Sequence, residues 1–186
     1  KLSRLVLAMP DCCLGADVIV GFPGETDSQF EDTCAFIDSL PLCYLHVFPY
    51  SRRDQTAAAS MPDQVAPEVK TSRGRVLREL SLKKWRSYAA RFVGRTLDAI
   101  VINEGTDEDE GGTLDIPVGT TRCLTGNYLD VLVPEVQLPR GRPASVRITG
   151  LTSGEYTTGD LVTRPAPRGP LASPGAGLVS SLTQCQ

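Results

Sequence analysis

The chain has 186 residues, 41% of them hydrophobic, with a net charge of −3 and a single histidine. That is enough apolar content for one ordinary domain or two small ones. No apolar run approaches the roughly 20 residues that span a bilayer, so no membrane partner is expected and a cytoplasmic location is. One histidine and six cysteines without C-x-x-C spacing exclude a zinc constellation and favour free thiols over a disulfide framework.

Leu2, Leu5, Val6 and Met9 follow helical spacing from the first residues, so the chain is expected to begin inside a truncated context, with Pro10 stopping the helix. The apolar run Asp17–Phe22 then reads as a strand buried on both faces of a parallel sheet. Pro23 and Gly24 turn the chain. Thr26 with Gln29 is a capping-box signature, and Phe30, Cys34, Ile37 and Leu40 form the buried stripe of a helix that Pro41 ends. Residues 45–48 read as a second strand, followed by the loop Pro49–Arg53. Strand, helix, strand implies parallel neighbours, whose carboxyl-end loops carry the chemistry in such sheets. Gly21 and Gly24 suit a ligand approach and a positive φ there, while Glu25 reads either as a hydrogen-bonding carboxylate or as a helix N-terminal acid.

Residues 56–67 read as a loop and 67–91 as a long helix carrying Leu77, Leu80, Trp85 and Tyr88 on its apolar side. Residues 63–91 hold 8 basic and 3 acidic side chains, the one segment that would welcome a polyanion. Lys70, Arg73, Lys83, Lys84 and Arg86 are its candidate phosphate contacts, against the alternative of a solvated helix face.

Beyond Gly94 the period changes to two. Short runs at 96–102, 121–124, 128–133, 144–148 and 160–163, separated by Gly, Asn and Pro turns, predict a small closed or nearly closed barrel of the OB-like kind. Tyr128 reads as barrel core or as a platform for a stacked base. The acidic run Asp107–Glu110 reads as a solvated hairpin loop, and residues 165–186, including Cys185, as a disordered tail. The expected division is therefore 1–66 α/β, 67–91 basic helix, 92–164 barrel and 165–186 tail.

The segment Asp17–Thr26 resembles a late strand of the radical S-adenosylmethionine enzymes, and more narrowly of the tRNA methylthiotransferases. Leu45-His46-Val47-Phe48-Pro49-Tyr50-Ser51-Arg52-Arg53, with Thr56-Ala57-Ala58 after it, resembles the branch acting on threonylcarbamoyl-adenosine beside the anticodon. Residues 92–164 are similar to that family's TRAM barrel. The resemblance implies the C-terminal portion of a partial TIM-like barrel joined to an RNA-binding β-barrel. It implies S-adenosylmethionine and two [4Fe–4S] clusters as cofactors of the whole enzyme, with a tRNA anticodon stem-loop and the preceding domains as partners. Ile19, Gly21, Val47 and Phe48 then fall at the cofactor or nucleoside pocket, and Glu25, Tyr50, Ser51 and Arg53 on the substrate side. The family's C-x-x-x-C-x-x-C cluster motif does not occur in this sequence. No catalytic or metal-ligating residue is therefore expected here, the chain alone is expected to be inactive, and its uncovered apolar faces are expected to promote self-association. A non-enzymatic RNA-binding module is the alternative.

Overall fold

The computed structural model describes residues 1–103 and 119–162. The expectations for the acidic run at 107–110, for Thr163 and for the tail with Cys185 lie outside them. A small α/β part comes first, followed by a closed five-stranded barrel.

In the first part, helix α1 (Leu2–Ala8) leads into strand β1 (Gly15–Val20), helix α2 (Asp27–Ser39) and strand β2 (Tyr44–Pro49). Both halves of the capping box form: the Thr26 hydroxyl accepts from the Gln29 N–H, and the Gln29 side chain accepts from the Thr26 N–H. Strands β1 and β2 pair in parallel, with Ile19 opposite Phe48 and Val18 opposite Val47. Ala16, Val18, Val20, Leu45 and Val47 join one apolar cluster with Ile37 of α2 and Leu77 of the next helix. The other face is open among the described residues, leaving Ile19 59% and Phe48 51% exposed. This corrects the expectation of a strand buried on both faces. A run of consecutive apolar residues carries no record of which face is covered, because side chains alternate whatever their type.

Helix α3 (Pro67–Ala90) packs along the covered face and joins the two parts. Its buried Ser81 accepts a hydrogen bond of 2.8 Å from the Leu45 N–H. The outer edge of β2 is thereby partly satisfied by a side chain. Between β2 and α3, a 3-10 helix at Ala57–Ser60 occupies part of the expected loop.

The barrel consists of β3 (Thr96–Asn103), β4 (Thr121–Thr125), β5 (Asp130–Val133), β6 (Pro143–Leu151) and β7 (Thr157–Leu161), closed in the order β3-β4-β5-β7-β6. All pairs are antiparallel except β5 with β7. Val101, Cys123, Val131, Val133, Val146 and Ile148 fill its interior in one cluster with Trp85, Tyr88, Ala89 and Phe92 from the end of α3. Helix and barrel thus share a core. Burial holds the Cys123 thiol up at about 11.

Closure is tightest at Gly159, where an added Cβ would lie 2.7 Å from Val131 Cγ1 and 2.9 Å from the Arg147 carbonyl oxygen. The backbone oxygen cannot step aside. Gly159→Ala is expected to lower stability by about 2 kcal/mol, as overpacked cores do. Urea unfolding measures it, and an unchanged midpoint would show that the barrel is looser than drawn.

Candidate nucleotide-binding surfaces at the strand ends and the helix–barrel cleft

Two places combine exposed aromatic groups with positive charge, one at each end of α3. At the carboxyl ends of β1 and β2, the backbone turns sharply at Gly21, whose φ is +73°. An added Cβ there would stand 2.4 Å from Lys70 Cγ, so glycine is required both by conformation and by the lysine stem laid across it. The Gly21 N–H donates to Glu25 Oε2 at 2.7 Å, and Arg73 Nη1 donates to the same oxygen at 2.6 Å. The other arm of Arg73 reaches Asp27 Oδ1 at 2.7 Å. One guanidinium from α3 therefore pins the whole loop between β1 and α2.

The matching loop after β2 is held from the same helix. Lys70 Nζ donates to the Tyr50 carbonyl oxygen at 3.2 Å and sits 5.3 Å from the centre of the Tyr50 ring, while Phe22 packs edge-on against that ring at 5.4 Å. The Tyr50 N–H bonds to the Val20 carbonyl oxygen, and the Gly24 N–H to that of Asp63. Ser51 and Arg53 extend into solvent beyond this knot.

Ile19, Gly21, Phe48, Tyr50, Ser51 and Arg53 are thus gathered at one strand end or on its open face. Three other candidates are engaged elsewhere in the fold. Val47 joins the helix-covered cluster, since neighbours in a strand cannot both face one pocket. Glu25 is the anchor of the loop. Arg73 is only 6% exposed and committed to two carboxylates, which removes it from the set of free phosphate contacts.

Lys84 is likewise engaged: half-buried, it sets its Nζ 2.9 Å from the carbonyl oxygens of Asp38 and Leu40, closing the end of α2. Burial pulls its ammonium below the ordinary lysine range. Lys83 is exposed beside Asp38, and Arg86 donates to the Thr152 carbonyl oxygen at 2.7 Å. The basic candidates on α3 therefore do not form one surface.

At the other end, α3, the start of β2 and the barrel enclose an open cleft of about 880 Å³. Tyr44, His46, Arg75, Arg78, Trp85, Arg122, Tyr128 and Tyr156 are among its walls. Of these, sequence reasoning named only Tyr128 as a site residue. Signals were present: Arg75, Arg78, Leu82 and Arg86 recur on one helical face, and Tyr44 and His46 alternate on one strand face. Arg122 pairs with Asp130 at 2.8 Å and lies over the Tyr156 ring. Tyr128 belongs to no core: its ring is 69% exposed.

Among the described residues, five cysteines are free thiols. Cys12, Cys13 and Cys43 lie near one another at the amino ends of β1 and β2, and the Cys43 thiol accepts from the Leu14 N–H and donates to the Cys12 carbonyl oxygen. The interaction between the neighbouring Cys13 and Cys43 thiols holds Cys43 low and Cys13 high. No three His, Cys, Asp or Glu side chains are arranged to hold a metal among the described residues. The residues described do not fit an iron–sulfur cluster. No described helix is long and apolar enough to cross a membrane.

No family model matches the chain. It is 35% identical over 130 residues to the threonylcarbamoyladenosine tRNA methylthiotransferase of Aquifex aeolicus, covering 70% of this chain and 28% of that protein. The protein of the same name from Bacillus subtilis is 36% identical over 163 residues, 87% of this chain and 34% of its own length. The tRNA-2-methylthio-N(6)-dimethylallyladenosine synthase of Agrobacterium fabrum is 38% identical over 104 residues, 56% of this chain and 23% of its own. The chain thus spans a third or less of the length of these relatives.

Proposed function

The chain is a relative of the tRNA methylthiotransferases over much of its length, and from that premise we propose that it is the C-terminal part of an enzyme that adds a methylthio group to threonylcarbamoyl-adenosine beside the anticodon. In this reading it supplies one wall of the S-adenosylmethionine and substrate pocket and a barrel that holds tRNA. The division at 66, 91 and 164 follows the same reading. The observation that carries it is the pairing of Ile19 with Phe48 across two parallel strands whose carboxyl-end loops are both held by α3.

The choice of branch rests on the His46-Val47 pair within Leu45–Arg53, since relatives named for dimethylallyladenosine also match. Ile19 and Phe48 offer a flat apolar surface on the open sheet face, suited to an adenine ring. Gly21 lets a ligand approach the strand end without a side chain in the way. Ser51 and Arg53 follow β2 at the same strand end and are exposed, and an arginine there suits a carboxylate or phosphate. S-adenosylmethionine and two [4Fe–4S] clusters would supply the radical and sulfur chemistry in the whole enzyme. The described residues give those clusters no ligand set, so their thiolates belong elsewhere in it.

The test is nucleoside mass spectrometry of tRNA from cells lacking this modification, after expression of the whole protein that carries this chain. Methylthio-threonylcarbamoyl-adenosine is expected to reappear. Methylthiolation of isopentenyl-adenosine instead would sink the branch assignment. A second reading, a non-enzymatic RNA-binding module, is favoured by the closed OB-like barrel and by the lack of a cluster ligand set among the described residues. RNA binding with no methylthiolated nucleoside would select it.

A further inference from the structure

We propose that Cys43 is a site of thiol–disulfide exchange, reached by small anionic disulfides through a cleft beside α3, and that Cys13 resolves the adduct into an internal Cys13–Cys43 bond. The pair lies at the amino ends of β1 and β2, away from the strand-end loops. It therefore goes beyond the methylthiotransferase reading and does not depend on it.

The backbone brings the two residues together. Parallel pairing of β1 with β2 runs back past Gly15 and Tyr44, because the Cys43 N–H donates to the Leu14 carbonyl oxygen at 2.7 Å. The Cys43 sulfur then accepts from the Leu14 N–H at 3.4 Å and donates to the Cys12 carbonyl oxygen at 3.9 Å. Those groups flank Cys13 on either side, so the sulfur is bracketed against that one residue. Both cysteines pack in the cluster that holds Trp85, Tyr88 and Phe92, whereas Leu14 packs in the other. Cysteines on neighbouring strands with side chains turned the same way can join without a large backbone movement.

Access and reactivity separate their roles. Cys43 borders an open cleft of about 280 Å³ whose walls carry Lys83, Lys84 and Arg91 against one acid, Asp38. That balance favours a disulfide bearing carboxylates over one bearing amines. Cys43 is also the better nucleophile of the two. The Cys13 thiol, the Leu14 N–H and the charges of Arg91 and Lys84 hold it below the ordinary thiol range, against the opposing effect of burial. The contact with Cys43 and burial hold Cys13 above that range, as suits a thiol that reacts second.

The exchange takes two steps. The Cys43 thiolate attacks one sulfur of the disulfide RSSR, the S–S bond breaks, and RS⁻ leaves and takes up a proton. Cys13 then gives up its proton and attacks the Cys43 sulfur, displacing the second RS⁻, which is protonated in turn. The two cysteines lose two electrons and two protons, and RSSR becomes two RSH.

In the test, the reduced full chain is incubated with glutathione disulfide, remaining thiols are blocked with N-ethylmaleimide, and the chain is cleaved on the amino side of aspartate. The cuts separate residues 11–16, with Cys12 and Cys13, from 32–37, with Cys34, and from 38–53, with Cys43. Mass spectrometry is expected to find 11–16 joined to 38–53 in the parent and in Cys12→Ser alike. Cys13→Ser is expected to lose that link and keep glutathione on Cys43, and Cys43→Ser to lose both. Circular dichroism shows that each variant is folded, and the parent map decides whether the link forms without any variant. Cystamine, a disulfide of amines, is expected to react about threefold more slowly than glutathione disulfide. A bond within 11–16, loss of the link in Cys12→Ser, or no link in the parent overturns the pair. Faster reaction with cystamine overturns the anionic preference. The nucleoside analysis above decides the enzyme reading separately.

Discussion

Phe92→Ala is expected to lower the stability of the chain by about 4 kcal/mol, the usual loss for emptying a fully buried phenylalanine site. Phe92 is fully buried where α3 ends, against the Tyr88 ring at 5.0 Å and in one cluster with the barrel valines. Neither the helix nor the barrel can close over the space left, because each presents a rigid wall to it. The one tryptophan, Trp85, lies in the same cluster, so its fluorescence reports this core directly. If helix and barrel are one cooperative unit, tryptophan fluorescence and far-ultraviolet circular dichroism should give coincident urea transitions in parent and variant, with the midpoint lowered. Two separated transitions, or a loss under 1 kcal/mol, would mean that the barrel folds without the helix.

That shared core decides which parts of the molecule the sequence could reveal. Local signals were strong enough to place the elements. Thr26 with Gln29 opened α2, Pro41 closed it, and the change of period after Gly94 marked the barrel strands. These features act within a few residues, so they are written locally. The direction each side chain faces is not. In Val18-Ile19-Val20 every residue is apolar, and only packing against α2 and α3 shows that Ile19 points away from the core while its neighbours point into it.

The same limit applied to α3. Basic residues occur around the whole helix, so charge alone did not separate the buried Arg73 and the half-buried Lys84, both bonded within the fold, from Arg75 and Arg78, which line the cleft. Tyr128 was read as the first residue of a strand at 128–133, where a ring can face either way, but the strand begins at Asp130. Its positive φ turns it outward, and the turn signal Thr125-Gly126-Asn127 before it does not fix where the ring goes.

Arg73→Met is the sharper test of the strand-end site. It should destabilise the chain by about 3 kcal/mol, because the largely enclosed Glu25 carboxylate would lose its cationic partner. Asp27 adds little to that figure, its side chain being 90% exposed. Arg73 Nε has no hydrogen-bond partner, so the arginine is not ideally satisfied, and the loss belongs at the low end for a broken buried pair. Arg73→Lys should recover only part, since one ammonium cannot bridge two carboxylates in the planar geometry of a guanidinium. Arg75→Gln breaks an exposed pair on the same helix and should cost a few tenths of a kcal/mol at most. A double-mutant cycle with Glu25→Gln isolates the interaction, and a coupling above about 1 kcal/mol is expected for a direct contact. Were Arg73→Met no worse than Arg75→Gln, the loop after β1 would be held by its own capping box and the Gly21–Glu25 bond. Helix α3 would then be packing beside the strand-end loops without shaping them.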